Sequence, residues 1–252
     1  MYTHIYKIRT SWKELKSFSR CKDLLEALND DAILPLDENS ADQNGTAGIQ
    51  VFFDGFDDTK ILDYTSKVTG FVAVDDIALA DYAVIRMSAR HGSYFGFDGG
   101  VPLGLRDPIK VYDQDTGMPS DEDSTALPLF GPGAEANNAA ANAIADSIDA
   151  HIAAKGTETK LIFAVSTFRP FIWDPYLADT SVLAAEFGMT DEALLDMVFQ
   201  MSDFTQDPSI QPSGKLPVEL PSTQDAVYAA FEDMPHDSEN PSFSVGDGIT
   251  SY

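Results

Sequence analysis

The feature that most constrains the fold is an alanine-rich helix followed at once by the most apolar segment of the chain. Residues 134–155 carry Ile144, Ile148 and Ile152 at every fourth position, which places these side chains on one helical face. Alanines keep the rest of this helix thin, and alanine has the highest helix propensity. Residues 160–165 are a continuous apolar run of strand length, typical of a strand covered on both faces. The pair predicts a layer of helix packed on sheet.

We therefore expect an α/β or α+β fold, a mixed β-sheet flanked by helices, with an extended proline-rich C-terminal arm. Residues 1–201 are predicted to form one domain, and residues 202–252 are predicted to form the arm. The arm is rich in Pro, Ser and Asp, a composition that buries too little apolar surface to fold alone. Within it, only residues 222–233 have a helical pattern. In the body, Ser11 begins a capping box that predicts a basic N-terminal helix over residues 11–29.

The remaining elements follow from short apolar runs bounded by turn-forming residues. Strands are predicted over residues 49–53, 59–64, 70–74, 82–87 and 109–112. Short helices are predicted over residues 75–80, 178–187 and 191–201, the last of them capped by Thr190.

The net charge excludes one large class of partner. The chain has 252 residues with 41 acidic and 16 basic side chains, a formal net charge of −25. Because affinity for phosphates comes from Lys and Arg, we predict no sequence-specific nucleic-acid partner. Residues 1–22 are an exception, with six basic residues against one acidic residue. A basic element on an acidic body can dock onto its own chain or onto a neighbouring copy, although a solvated helix face is the simpler interpretation.

Several features predict location and redox chemistry. The first residues lack the apolar core of a signal peptide, and no run of 18 apolar residues is present. We therefore predict a virion or cytoplasmic protein that is not secreted by a signal peptide and has no membrane partner. Cys21 is the single cysteine, so the chain forms no internal disulfide, and the scattered His residues give no zinc pattern.

An acidic loop over residues 113–123 is the strongest chemical signal. Its alternating carboxylates, with Gly117 to turn the chain, are the kind of oxygen ligands that calcium binds. The pattern departs from an EF-hand because this glycine is fifth rather than sixth, and because Pro119 follows. The sequence leaves two interpretations of this loop, a plain solvated acidic loop and a Ca²⁺ or Mg²⁺ site. The candidate ligands are Asp113, Asp115, Asp121 and Asp123.

Two further segments have residue types that are used in catalysis. Asp54 ends a predicted strand, the place where phosphatases of the haloacid dehalogenase type carry a nucleophile, but Phe56 occupies the position of their second aspartate. A turn after a strand is the better interpretation. His91 and Ser93 are close in sequence, yet adjacency is not a triad and no Gly-x-Ser-x-Gly elbow is present. We assign no catalytic residue.

The absence of catalytic motifs and the proline-rich arm favour a protein that works through subunit contacts. The specific hypothesis is a structural or assembly protein, such as a connector, tail or capsid-associated component of a tailed virus. Its predicted partners are copies of itself or other structural subunits. The alternative is a metal-dependent hydrolase or calcium-binding module that uses residues 113–123.

Overall fold

The structure is a computed structural model that describes residues 25–29, 36, 48–68, 70–91, 101–112, 119–123, 134–210, 214–230 and 236–248. Its strands are β1 (Leu25–Asn29), β2 (Ile49–Asp54), β3 (Phe71–Val74), β4 (Tyr82–Ser88), β5 (Lys110–Tyr112), β6 (Pro119–Asp123), β7 (Lys160–Ser166), β8 (Val182–Glu186), β9 (Met201–Ser202) and β10 (Thr205–Gln206). Six of them form the main sheet in the order β1-β8-β7-β4-β2-β3. In this sheet β1 is antiparallel to β8, and the other five strands are parallel.

Helices cover both faces of this sheet. They are α1 (Asp58–Lys67), α2 (Ala134–Ala154), α3 (Asp191–Phe199) and α4 (Gln224–Ala229), and short 3₁₀ turns span Ile77–Leu79 and Asp174–Asp179. One core lies between the sheet and the helices α1 and α3, and a second core lies between the sheet and α2. The predicted mixed α/β fold, a largely parallel sheet flanked by helices, is confirmed.

Strand β7 joins the two cores. Leu161, Phe163 and Val165 point to the α2 side, whereas Ile162 and Ala164 point to the side of α1 and α3. All five are at most 1% exposed. A strand buried on both faces cannot alternate apolar with polar residues, which is why its sequence is a continuous apolar run.

Small side chains let α2 lie close to the sheet. Ala141, Ala145 and Ile148 face the second core and are 1%, 0% and 0% exposed. The observed helix ends at Ala154, one residue earlier than predicted, and β7 follows it as the sequence indicates.

The prediction of a strand over residues 59–64 is wrong, because these residues belong to α1. Asp57 caps this helix, and its Oδ1 accepts hydrogen bonds from the backbone N–H groups of Thr59 at 2.9 Å and Lys60 at 3.4 Å. The cap satisfies donors that a helix leaves unpaired at its first turn. Its local hydrogen bonds outweigh the β-propensity of the isolated apolar run.

The prediction of a helix over residues 178–187 is also wrong. Residues 174–179 form a 3₁₀ turn, and residues 182–186 form β8, whose five residues are all buried. This strand lies between β7 and β1. Its Ala and Leu residues favour a helix locally, but pairing on both sides decides the conformation.

The predicted N-terminal helix over residues 11–29 is wrong at its C-terminal end. Leu25–Asn29 pairs with β8 as an antiparallel edge strand. Residues 1–24, which include the whole basic segment, lie outside the described residues.

Part of the predicted C-terminal arm packs on the body of the chain. Leu216 and Leu220 are 3% and 2% exposed and belong to the α2-side core. The backbone N–H of Leu220 donates to the carbonyl of Phe243 at 3.0 Å, and Thr223 caps α4. The domain boundary after residue 201, and contacts between the arm and other subunits, stay predictions.

Candidate functional site

The carboxyl ends of the parallel strands share one edge of the sheet. Across it the strands follow the order β3-β2-β4-β7-β8. After β2 the chain forms α1 on one face, and between β4 and β7 it forms α2 on the other face. In open α/β sheets, ligands bind outside the carboxyl ends of the strands, at the point where the connections diverge. The carboxyl edge around β2 and β4 is therefore the candidate functional site.

Strand β2 ends before β4 at this edge, which leaves a step beside β4. The pairing of β2 with β4 ends at Asp54 opposite Ile85, whereas β4 continues beside β7 to Ser88. Gly55 turns the chain with a φ of +80°, and a Cβ built there would lie 1.9 Å from the carbonyl oxygen of Arg86. Only glycine fits this turn. At this step the backbone of Gly55 packs directly on the backbone of Arg86.

A carboxylate and an imidazole meet beside this step. Oδ2 of Asp54 lies 3.1 Å from Nε2 of His151, and Nδ1 of His151 lies 2.7 Å from the carbonyl oxygen of Ser147. The side chain of His151 is 13% exposed, whereas that of Asp54 is 50% exposed. The ring of Phe52 packs against the imidazole with a centroid distance of 6.0 Å. The pair joins the end of β2 to the last turn of α2.

A buried arginine organises the segment that follows β4. Arg90 is 3% exposed. Its Nε donates to Oδ1 of Asn137 at 2.9 Å, and its Nη2 donates to Oδ1 of Asn138 at 2.6 Å. Its Nη1 donates to the carbonyl oxygens of Gly104 and Asp107. Arg90 thus ties the start of α2 to the loop after β4.

A second arginine lies close to the first. Burial lowers the pKa of Arg90 to about 10, and the positive charge of Arg169 acts in the same direction. Nη2 of Arg169 donates to the carbonyl oxygen of Val101 at 2.6 Å, and Oε1 of Gln224 accepts from the backbone N–H of Leu103 at 2.7 Å. The described part of the loop after β4, residues 101–109, is therefore held by hydrogen bonds with Arg90, Arg169 and Gln224.

Exposed aromatic rings follow three neighbouring strands at this edge, and we call His91, Phe168 and Phe187 the aromatic edge. Phe168 is 63% exposed and Phe187 is 47% exposed. The ring centroids of His91 and Phe168 are 5.4 Å apart. The backbone N–H of Thr167 donates to the carbonyl of Glu186 at 2.9 Å, which keeps β7 and β8 together up to this point. Large apolar groups left exposed at a strand edge are typical of a contact surface.

A buried ion-pair network lies at this edge on the face of the sheet that packs against α3. Glu186 is fully buried, and its Oε1 accepts from Nη2 of Arg86 at 2.9 Å. Its Oε2 accepts from the backbone N–H groups of Gly188 at 2.7 Å and Met189 at 2.8 Å. Arg86 also pairs with Asp191. Both oxygens of Glu186 are engaged, so this network holds α3 against the sheet.

The structure does not bring the predicted metal ligands together among the residues that it describes. Asp113 and Asp115 lie outside these residues, and Asp121 and Asp123 lie in β6, which pairs with β5 in a separate two-stranded sheet. Within the described ranges, no group of three or more His, Cys, Asp or Glu side chains is arranged to hold a metal ion. The Ca²⁺ or Mg²⁺ site stays a prediction.

The sequence interpretation missed most of the carboxyl edge. Asp54 was noted at a strand end, but its partner His151 is separated from it by almost 100 residues and occupies an unremarkable position in an alanine-rich helix. Phe168 stands before the Arg169-Pro170 turn, and its exposure shows only in three dimensions. A usable signal was the rule that residues just after parallel strands share an edge.

None of the helices that the structure describes is both long and apolar enough to cross a membrane. No family model matches the chain.

Curated relatives match part of the chain. Beta-glucosidase C of Emericella nidulans is 34% identical over 115 residues, which cover 43% of this chain and 17% of that protein. A periplasmic beta-glucosidase/beta-xylosidase of Dickeya chrysanthemi is 35% identical over 81 residues, which cover 32% of this chain and 11% of that protein. The matched segment is therefore about a sixth of the length of the first relative.

A solved structure supports the fold over a longer range. The Q683A mutant of the exo-1,3/1,4-beta-glucanase ExoP from a Pseudoalteromonas species superposes with a TM-score of 0.51 at 14% identity. The superposition covers 90% of this chain and 34% of that chain. At this identity the likeness shows the fold alone.

These relatives correct the function predicted from the sequence. The hypothesis of a structural, assembly or virion protein is wrong, because the matching proteins are named as glucosidases. A virion location has no support either, since one relative is named periplasmic. The metal-dependent alternative gains nothing from the comparisons. Composition misled the interpretation because an acidic, motif-poor chain with a proline-rich end is common to many classes of protein.

Proposed function

We propose that this chain is the α/β part of a glycoside hydrolase of the β-glucosidase type and that it binds a β-glucoside at the carboxyl edge. The observation that carries the proposal is the 34% identity over 115 residues to Beta-glucosidase C. An identity of this size over more than a hundred residues implies a common fold and favours a related ligand. The partners predicted earlier, other subunits, stay a separate proposal.

The chemistry of the carboxyl edge supports a sugar as the ligand. A pyranose ring has an apolar face of C–H groups, and the aromatic edge offers exposed rings on which such a face packs. Its hydroxyl groups need polar partners, and the half-exposed Asp54 carboxylate lies on the same edge. A site of apolar walls with few polar groups is the usual form of a small-molecule site.

Hydrolysis of a glycoside requires catalytic groups in addition to a sugar-binding site. Glycoside hydrolases use two carboxyl groups that flank the scissile bond. On this edge Glu186 is fully buried and fully hydrogen-bonded, and Asp191 pairs with Arg86 and Lys60. We therefore assign sugar binding to the carboxyl edge and treat the hydrolytic step as a separate measurement.

Calorimetric titration of the purified protein tests the binding step. We expect saturable binding of methyl β-D-glucopyranoside and weaker binding of the α-anomer. Phe168→Ala removes an exposed ring of the aromatic edge and is expected to weaken binding at least about fivefold. Leu62→Ala is the matched control, because Leu62 is 65% exposed on α1 and lies away from the carboxyl edge.

Release of 4-nitrophenol from the β-glucoside and the β-xyloside tests the hydrolytic step. Turnover that Phe168→Ala reduces and Leu62→Ala leaves unchanged supports a glycosidase. The proposal fails if no β-glucoside binds saturably and none is hydrolysed.

A further inference from the structure

We propose that Asp54 is a specificity-determining residue of the carboxyl edge, which accepts hydrogen bonds from the hydroxyl groups of a neutral sugar, and that His151 positions it. The inference rests on the proposed function, because it names the group that would recognise the glucoside. It extends that function by naming a polar group of the site. This group lies at the end of β2, whereas the residues of the aromatic edge follow β4, β7 and β8.

Asp54 occupies a distinctive place in the fold. It is the last residue of β2, at the point where the connections after β2 and β4 take opposite faces of the sheet. Because β2 ends at the level of Ile85 and β4 continues to Ser88, the carboxylate stands beside a step rather than under a neighbouring strand. Gly55 adds no side chain that would fill this step.

The carboxylate of Asp54 also contacts an imidazole ring that is itself hydrogen-bonded. The carbonyl oxygen of Ser147 only accepts, so Nδ1 of His151 donates to it. Nε2 of the same ring lies 3.1 Å from Oδ2 of Asp54, within ion-pair distance. Phe52 packs against the ring.

One carboxylate oxygen of Asp54 stays available to a ligand. Only Oδ2 contacts His151, and no donor to Oδ1 occurs among the residues that the structure describes. The side chain as a whole is 50% exposed. A pure structural ion pair has no need of a step beside it. A ligand-binding carboxylate needs one oxygen fixed and the other free.

The chemistry of this oxygen selects the ligand. A carboxylate has acceptor sites only, so it binds groups that donate. A sugar hydroxyl is such a donor, and neighbouring hydroxyls of one ring can share the two oxygens of one carboxylate. A deoxy sugar would cover this acceptor without donating to it, and an acceptor that loses water without gaining a donor costs binding free energy. We therefore expect selection for hydroxyl groups rather than for total size.

Binding measured on Asp54→Asn tests the proposal. The substitution keeps the shape and replaces an acceptor oxygen by a donor nitrogen. We expect the dissociation constant of methyl β-D-glucopyranoside to rise at least about tenfold, as loss of a hydrogen bond to a charged group implies. The matched control is Asp58→Asn, another exposed carboxylate four residues later in α1, which should bind as the wild type does.

Deoxy analogues of the glucoside distinguish the loss of one hydrogen bond to Asp54 from a general disturbance of the binding site. At least one monodeoxy glucoside should bind to the wild type about as weakly as methyl β-D-glucopyranoside binds to Asp54→Asn. That analogue should lose nothing further on Asp54→Asn, because the hydroxyl and its acceptor would already be unpaired. An additive loss for every analogue would overturn the assignment.

The positioning role of His151 has its own test. His151→Gln can still donate a hydrogen bond to Asp54, whereas His151→Phe fills the space without donating. We expect glucoside affinity to fall in His151→Phe and to recover in His151→Gln, with both variants compared at equal folded fraction. Equal affinities of the two variants would remove the positioning role.

The outcomes distinguish this inference from the proposed function. If the wild type binds glucoside, Phe168→Ala weakens it and Asp54→Asn does not, the proposed function stands and the role of Asp54 is wrong. If the wild type neither binds nor hydrolyses a β-glucoside, both are wrong.

Discussion

At the scale of a single residue, Asp196 on α3 illustrates how partial burial of a carboxyl group sets a pH dependence. The hydroxyl of Tyr64 donates to its Oδ1 at 3.0 Å, and Tyr64 is 2% exposed. Burial raises the pKa of Asp196, and the charges of Asp203 and Glu192 act in the same direction, although the hydrogen bond from Tyr64 opposes them. The folded state therefore binds this proton more tightly than the unfolded state does.

The sign of the effect follows from linkage. A carboxyl whose pKa is raised on folding contributes stability below its ordinary pKa, and this contribution is lost as the pH rises through the folded value. We expect Asp196→Asn to raise the free energy of unfolding at neutral pH, since the amide oxygen still accepts from Tyr64. The gain should shrink as the pH falls towards about 4. Urea denaturation at several pH values measures it, and a gain independent of pH would contradict the expected linkage.

At the scale of an element, the turn that ends β2 depends on one glycine. Gly55 and Gly188 have nearly the same positive φ, +80° and +83°. A Cβ on Gly55 would lie 1.9 Å from the carbonyl oxygen of Arg86, whereas a Cβ on Gly188 would meet nothing within 4 Å. The two positions separate the conformational cost of a positive φ from the cost of a steric clash.

We expect Gly188→Ala to reduce the free energy of unfolding by about 1 kcal/mol, the cost of a left-handed conformation for an alanine. Gly55→Ala should cost at least about 2 kcal/mol, because the clash is with backbone that cannot rotate away. Chemical denaturation of both variants gives the difference. Equal losses would show that β2 and β4 move apart readily at this turn.

Elements also show where sequence patterns were sufficient. Helix α2 and strand β7 were predictable because their patterns are long and their burial is uniform. Helix α1 and strand β8 were not, since each is a short apolar run whose conformation is set by its surroundings. The cap at Asp57 decides the first, and pairing between β7 and β1 decides the second.

At the scale of the whole molecule, the C-terminal segment adds to the core rather than only following it. Leu216 and Leu220 fill the α2-side core beside Phe171 and Trp173, and Gln224 binds the loop after β4. The segment therefore touches the same loop that Arg90 holds. Its packing links the distal end of the chain to the carboxyl edge.

Substitution of one of these leucines tests that link. We expect Leu220→Ala to reduce the free energy of unfolding by about 2–5 kcal/mol, as for other fully buried leucines. Val218→Ala, at a partly exposed position two residues earlier, should cost much less. A single cooperative transition in the wild type, lowered in midpoint by Leu220→Ala, is the expected result. A loss below about 0.5 kcal/mol would mean that the segment is not part of the core.

The candidate site was predictable only in part. The position of Asp54 at a strand end is visible in the sequence. The contact of Asp54 with His151, the burial of Arg90 and the exposure of Phe168 are not, since each depends on residues that are distant in the chain.

The sequence alone determined the class of the fold, because hydrophobic periodicity and helix propensity act over a few residues and are readable locally. It also determined the central pair of helix and buried strand, where every local preference agrees with the final structure. Tertiary structure decided the conformation of the short ambiguous segments and the assembly of the carboxyl edge. The physical reason is that strand pairing, burial and long-range hydrogen bonds join residues tens to more than a hundred positions apart, and their free energies exceed the weak local preferences of a short segment.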